Sequence, residues 1–557
     1  RRALNSALAE ANITGFYGQP RLDVPLLLSL PGNDIWVTTA CIAYWKYDDI
    51  DDITKRFRDH FGENFFLEVQ YHNEDKQRRI NEHVLELSRK EGIPIIMGCD
   101  SHYILPAGAA DRADYVSSKG MDYPDESGFI LDYPDGETAY KRFAEQGVLG
   151  GAEIDEAMGN TNILLQVEEY DCSCFTKDIK MPTLHPDLTQ EERDAAYDSV
   201  IWKAWAEEKK HIPEEMHAHY EQEIQNEIDI VHVTKHADYF LDDHAIVKRG
   251  IELGGVLTST GRGSAVSFYT NKLLGLTEVD RISAKVKMYP ERFMSPTRIL
   301  EAKTLADVDL NVADRAPFLQ AQKEIMGEES SYEMIAYGTL KPKAAWKMYA
   351  RSQNVDFELA NEVSAQIERY EHALKHASDE EKDDIDVLDY IDRQYQEIFL
   401  KSKNYLGVIS HVTPHPCATL LYQGNIREEI GLINVKGVIC CIMDGKWAED
   451  YKFLKNDWLK VSVVDLIARV YKRIGIPRHT VSELLALCPP DDPAWDIYKK
   501  SCTLGVNQVE QPGTSKRVSV YSPTNISELC AFVAAIRPGF KSMYKIFESR
   551  EPFSYNI

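Results

Sequence analysis

The stretch Leu305–Val312, read as Leu-Ala-Asp-Val-Asp-Leu-Asn-Val, constrains the fold more than any other segment. From Ala306 onward apolar and polar residues alternate, which is the period of a strand with one buried face. Ala306, Val308, Leu310 and Val312 are expected in a core, while Leu305, Asp307, Asp309 and Asn311 point the other way. Two carboxylates two residues apart on one strand face repel each other. Solvent makes that tolerable, and a hard divalent cation between them makes it favourable. The spacing suits Mg²⁺ chemistry on phosphate, but taken alone it reads more simply as a solvated strand face. Asp49/Asp51 and Asp384/Asp386 repeat it in segments that look helical or loop-like and read as ordinary surface.

A chain of 557 residues exceeds one hydrophobic core, so two to four domains are expected. No apolar run reaches membrane-spanning length, and the start, Arg-Arg-Ala-Leu-Asn-Ser, has no signal-peptide pattern. Ten cysteines without regular spacing, Cys440-Cys441 among them, fit a reducing, cytoplasmic setting better than a disulfide framework. The net charge of −26 disfavours wrapping a polyanion over the whole surface and leaves room for one locally basic groove. The chain begins on Arg1 and stops after Phe-Ser-Tyr-Asn-Ile, which reads as a fragment of something longer.

Residues 1–180 alternate short strands and helices. Asp34–Cys41 and Asn64–Gln70 are β-rich, Asp75–Lys90 is an amphipathic helix, and Pro94–Cys99 is an apolar run fit for a buried parallel strand. That order predicts an α/β layer or barrel, with chemistry at the carboxyl ends of the strands. Cys41, His72, Asp100 and His102 fall there and would suit Zn²⁺, Mn²⁺ or Fe. The competing reading has Asp100 capping a turn and His72 on the surface. A loop rich in Gly, Asp and Pro follows around Met121–Glu137.

The character changes near residue 180. Thr189-Gln190-Glu191-Glu192 is a capping box opening a helix, and residues 214–235 continue as acidic helix. In Gly254–Val266 a strand runs into a Gly/Ser turn before a helix. There Gly263 lets the backbone approach a phosphate, and Arg262 and Ser264 add donors. The spacing is neither a Walker loop nor a dinucleotide fingerprint, and a plain tight turn is the alternative. Beyond the Asp-x-Asp strand, Gly338–Lys343 is locally basic, and residues 356–405 are charged, helical and peripheral. Cys417–Tyr422 and Gly437–Met443 are β-rich, Lys455–Lys460 sets Asp457 beside a strand-like run, and the last hundred residues are helical.

The order Gly-Arg-Gly-Ser, Asp-x-Asp, Gly-Thr, His-Pro, Lys-x-Asp, Gln-x-Glu, Arg-Pro-Gly resembles the alpha subunit of bacterial DNA polymerase III, the C family of replicative polymerases. The resemblance covers nearly the whole chain and is that of a divergent, phage-encoded member. It implies that Asp307, Asp309 and Asp457 are the palm carboxylates holding two Mg²⁺ ions. Arg262, Gly263, Ser264, Lys343, Lys455 and Arg537 would bind the incoming nucleotide, and Cys41, His72, Asp100 and His102 match later ligands of a PHP (polymerase and histidinol phosphatase) metal cluster for Zn²⁺ or Mn²⁺.

The same resemblance implies an α/β multidomain chain. It would comprise the carboxyl-terminal part of a PHP domain (1–180), a polymerase-beta-like palm in two parts (181–340 and 413–462), a helical thumb (341–412) and the start of helical fingers (463–557). Primer-template DNA, dNTPs, and a sliding clamp and other replisome proteins are the implied partners, with no membrane. The chain departs from the family where Ala265-Val266-Ser267 replaces a glycine-richer run and where Asn456-Asp457-Trp458-Leu459-Lys460 replaces Phe-Asp-Phe-Leu-Gly. The leading paired histidines of the PHP motifs and the later fingers are absent, so the fragment alone is expected to be inactive. Two other classes remain open: a metal-dependent phosphoesterase working through Asp100 and His102, and a non-catalytic module in which the Asp pair binds a structural ion.

Overall fold

The computed structural model describes residues 1–551 apart from positions 41, 122, 124–127, 168–171, 259–260, 285–286, 378–381, 383 and 538–542, with the side chains of 376, 481 and 482 also outside the description. The chain forms two compact units. Unit 1 is Arg1–Phe175, Ile335–Pro414 and Arg427–Asp444; unit 2 is Thr176–Met334, His415–Ile426 and Gly445–Ile557. Helices outnumber strands in this mixed α/β chain. Among the described residues no helix is long and apolar enough to cross a membrane.

In unit 1, strands β1 (Val37–Thr38), β2 (Phe65–Gln70) and β3 (Ile95–Gly98) form a parallel sheet in that order, with Val37 opposite Phe65 and Leu67 opposite Ile95. Parallel neighbours need a crossover, and helix Asp75–Glu91 supplies it. Its start is capped by the Glu74 carboxylate, which accepts from the N–H groups of Lys76 and Gln77, and Gly92 ends it in a left-handed conformation. Val84 and Leu87 turn inward onto Phe65, Leu67 and Val69. The expected strand at Asp34–Cys41 shrinks to two residues, because Ala40 takes φ 51° and cannot continue an extended run. Position 41 itself lies outside the described residues.

The later part of unit 1 is built differently. Helices Pro342–Ser352, Phe357–His376 and Gln396–Ser402 enclose Trp346, Val363, Ile367 and Phe399, and the Trp346 indole N–H donates to the carbonyl of Ala360 at 2.8 Å. The charged segment 356–405 therefore owns a small core. A hairpin joins Leu432–Val435 to Val438–Cys441 through Lys436 and Gly437, both at positive φ, which matches the right-handed twist of paired strands.

Unit 2 is organised around β4 (Asp309–Val312), β5 (Ile409–Leu421, entering this unit at His415) and β6 (Leu454–Lys460). β6 runs parallel to β4 and antiparallel to β5. Helices Gln190–Glu208, His217–Thr234, Ala237–Glu252 and Ala316–Met326 contribute to one core with these strands, including Tyr197, Trp205, Ile228, Phe240, Leu310 and Trp458. Thr189 and Glu192 form the reciprocal capping box. The alternating set Ala306, Val308, Leu310 and Val312 is buried, although the regular strand covers only its second half. A separate helical cluster around Tyr498, Val518, Tyr521, Phe532 and Phe547 closes the described chain.

Candidate active site

Alternation in β6 sorts its side chains: Leu454, Asn456 and Trp458 are buried, while Lys455 and Asp457 lie on the other, half-buried face. Trp458 fixes the register from below, stacking on Phe318 at 4.9 Å between ring centroids and donating its indole N–H to Gln322 Oε1 at 3.0 Å. With that register set, Asp457 stands directly opposite Asp309 on the parallel neighbour β4. Lys455 Nζ lies 3.1 Å from Asp307 Oδ2 and 2.5 Å from Asp457 Oδ2. Asp307 and Asp457 thus share one amine, which also acts electrostatically on Asp309.

Burial raises the affinity of Asp307 for its proton, and Lys455 opposes this. Burial also raises Asp309, with further repulsion from Asp457. Burial works against the Lys455 ammonium, but Asp307 and Asp457 outweigh it and hold the amine above the ordinary lysine range. Asp307 Oδ1 and Asp457 Oδ1 are buried and make no hydrogen bond. Oxygens desolvated in this way favour a bound cation, and oxygen donors of this kind suit Mg²⁺. The donor set therefore fits the ion that the sequence implies. Behind it, Asn456 donates to Asp243 Oδ1 at 2.9 Å, and burial pushes this fully enclosed carboxyl up to about 7.

The glycine turn is delivered by the same sheet. Leu257 pairs with Val312, the Thr258 N–H donates to the Asn311 carbonyl, and the Ala313 N–H donates to that of Val256. Gly261 and Gly263 both take positive φ. A Cβ on Gly263 would lie 2.9 Å from Asp309 Oδ2, so this position requires glycine for conformation and for space. Arg262 is near enough to Asp309 to lower its proton affinity. Residues 259 and 260 lie outside the described residues. After Ser264, a short turn and helix Tyr269–Leu273 are anchored by the buried Glu227, which accepts from the N–H groups of Tyr269 and Thr270 and from Arg281 Nε.

Beside the turn opens a cavity of about 680 Å³ lined by Gly263, Ser264, Lys287, Arg292, Arg298 and Arg537, with no acidic residue among the described residues of its wall. Sequence reasoning passed over Lys287, Arg292 and Arg298. Their signal was a local excess of cations in an acidic chain, at Lys287, Arg292 and Arg298 with Glu291 as the intervening acid. Arg537 is among the residues of this wall, whereas Pro538 and Gly539 of its motif lie outside the described residues.

The comparisons with known proteins agree with this arrangement. The family model described as "Bacterial DNA polymerase III alpha NTPase domain" matches residues 198–460, the segment holding the glycine turn and all three aspartates. That segment of the chain is similar to the bacterial DNA polymerase III alpha family. The chain is 25% identical to the DNA polymerase III subunit alpha of Saccharopolyspora erythraea, over 97% of this chain and 46% of that protein. The corresponding proteins of Aquifex aeolicus and Bacillus subtilis are 24% and 23% identical, over 94% of this chain and 48% and 45% of theirs. The chain spans about half the length of these curated relatives.

The remaining site residues are placed as follows. Lys343 belongs to unit 1, on helix Pro342–Ser352, and is ion-paired with Glu368. Cys41 lies outside the described residues. His72, just past β2, is fully buried rather than on the surface. Its Nδ1 accepts from the Ile130 N–H at 3.1 Å, and its ring stacks on Phe129 at 4.3 Å. Nε2 is buried without a hydrogen-bond partner. Burial pushes His72 down to about 4; Asp100 opposes that shift and His102 adds to it. Asp100 and His102 are thus within electrostatic reach of His72, past the end of β3. Among the described residues one group of three metal-capable side chains brings its ligand atoms within 4.8 Å of one another: His415, Cys417 and Asp457.

Proposed function

We propose that unit 2 carries the nucleotidyl-transfer site of a template-directed DNA polymerase, acting in DNA replication. The observation that carries this reading is the opposition of Asp309 and Asp457 on parallel strands, with Asp307 and Lys455 beside them and the Gly263 turn against Asp309. Asp307, Asp309 and Asp457 would hold Mg²⁺. When bound, the ions supply Lewis-acid stabilisation of charge on the attacking and leaving oxygens of a phosphoryl transfer.

The protein's own groups provide the rest. Gly263 and Ser264 line the cavity, where their backbone and hydroxyl donors would cradle the triphosphate of a dNTP. Lys287, Arg292, Arg298 and Arg537 neutralise its charge, with no competing carboxylate among the described residues of the wall. Lys455, held between Asp307 and Asp457, keeps the carboxylates ionised and presents an amine to a phosphate oxygen. Asp243 and Asn456 orient β6 from behind. Catalysis is then positioning and electrostatics, with the 3′-hydroxyl of a primer as nucleophile.

The test is primer extension by the intact protein with Asp309→Ala. Loss of incorporation with unchanged folding is expected; incorporation at the wild-type rate would overturn the assignment. Partners such as a sliding clamp and the division into palm, thumb and fingers follow from the same family reading.

A further inference from the structure

His415, Cys417 and Asp457 bring an imidazole, a thiol and a carboxylate together inside unit 2, with one ligand atom from each within 4.8 Å of the other two. The sheet is the cause. β5 runs antiparallel to β6 with Ala418 opposite Asp457, so the residue before Ala418 is brought to the edge of the carboxylate cluster. Within this strand the His415 ring folds back so that Nδ1 accepts from the N–H groups of Ala418 at 2.8 Å and Cys417 at 3.3 Å. Cys417 Sγ then lies 3.7 Å from His415 Nδ1. Bonds of about 2.3 Å to sulfur and 2.0 Å to nitrogen in a tetrahedral Zn²⁺ site put those two ligand atoms roughly 3.5 Å apart. Asp457 adds an independent observation, a buried Oδ1 that makes no hydrogen bond.

We propose that His415, Cys417 and Asp457 form a binding site for a soft divalent cation of the Zn²⁺ type that overlaps the Mg²⁺ cluster, so that filling it withdraws Asp457 and stops polymerisation. The consequence for activity rests on the function proposed above; the metal site itself does not. A thiolate, an imidazole and one carboxylate favour Zn²⁺ strongly over Mg²⁺, which takes oxygen donors in octahedral geometry. Binding exchanges the Cys417 S–H bond for a sulfur–metal bond, releases that proton to solvent and transfers no electron. His415 Nδ1 exchanges its backbone N–H contacts for the ion, and the fourth position is left to water.

Co²⁺ reports such a site directly, because a thiolate ligand gives a charge-transfer band absent from purely oxygen or nitrogen sites. Added to the intact protein, Co²⁺ is expected to produce that band, Zn²⁺ to displace it, and Cys417→Ser to abolish it. Asp457→Asn is expected to weaken Co²⁺ binding by at least about tenfold, the lower end of what losing even an outer partner of a metal costs. No band in the wild type, a band that survives Cys417→Ser, or unchanged affinity in Asp457→Asn would each overturn the site. In primer extension at fixed Mg²⁺, Zn²⁺ should inhibit the wild type at concentrations about tenfold below those needed for Cys417→Ser; equal sensitivity would overturn the coupling. A wild type that shows the band but extends no primer would sink the polymerase reading and leave the metal site standing.

Discussion

Unit 1 and unit 2 both set titratable side chains at the ends of parallel strands, and burial acts on them in opposite directions. Past β2, His72 is enclosed, stacked on Phe129 and pushed down to about 4, so it sits neutral with an unsatisfied Nε2. At β4 and β6, three carboxylates are partly enclosed, two of them, Asp307 and Asp457, share the Lys455 amine, and a cavity lined by four cations among the described residues lies beside the glycine turn. A neutral imidazole is a ready ligand for a metal but attracts no anion. A charged carboxylate cluster next to a cationic cavity can hold a metal and a phosphate chain together. Metal-capable residues in unit 1 lie within electrostatic reach of one another, while in unit 2 they converge to within 4.8 Å among the described residues, at a carboxylate cluster beside a cationic cavity.

The comparison breaks most readily on paired substitutions. Asp307→Asn in the intact protein is expected to lower primer extension at least about a thousandfold, roughly 4 kcal/mol of transition-state stabilisation, with Asp100→Asn staying within about twofold of wild type. A comparable loss from Asp100→Asn would move the chemistry toward unit 1.

Opposite pH responses are the next largest effect. His72 has a folded value of about 4 against an ordinary 6.5, so the unfolded chain binds the extra proton between those limits. Its contribution is therefore present above pH 6.5 and lost as pH falls toward 4. Asp243 has a folded value of about 7 against 3.8, so its contribution is present below pH 3.8 and lost as pH rises through 7. Each is on the order of 3 kcal/mol over its full window. Native-state hydrogen exchange should show unit 1 amides near β2 weakening on acidification. Unit 2 amides near β6 should weaken as pH rises from 4 to 7, and Asp243→Asn should flatten that second trend.

Smaller changes sharpen the picture of the cavity. Arg292→Ala and Arg298→Ala should each raise the KM for dNTP by about tenfold with a lesser change in kcat, the size expected for losing one charge-assisted contact to phosphate. Equal effects on kcat alone would place these arginines outside ground-state nucleotide binding. Smallest is Lys343→Ala: an exposed pair with Glu368 in unit 1 should matter less than about twofold to incorporation. A large loss there would show that unit 1 reaches the nucleotide.

Much of the local structure was legible in the residues. The alternation at 306–312 announced its buried face, Thr189 and Glu192 announced a helix start, and Gly263 announced backbone that a side chain would obstruct. His72 was harder, because nothing in Val-Gln-Tyr-His says that Phe129 covers its ring. The cationic wall was hidden for a similar reason. Lys287, Arg292 and Arg298 follow no motif and meet Gly263 and Ser264 only in the folded chain, around one cavity. Cys417 carried no signal at all until β5 put its neighbour opposite Asp457.

What the sequence by itself determined was therefore the short-range physics: which residues alternate, which turns need positive φ, which carboxylates share a strand face, and the motif order that resembles the polymerase III alpha family. Only the tertiary structure decided that Asp309 faces Asp457, that Lys455 stands between Asp307 and Asp457, and that a thiol and an imidazole border the same carboxylate. The physical reason is register. Strand pairing between distant segments is set by what packs beneath them, here Trp458 on Phe318 and Gln322. A slip of one residue would turn every one of these side chains to the opposite face.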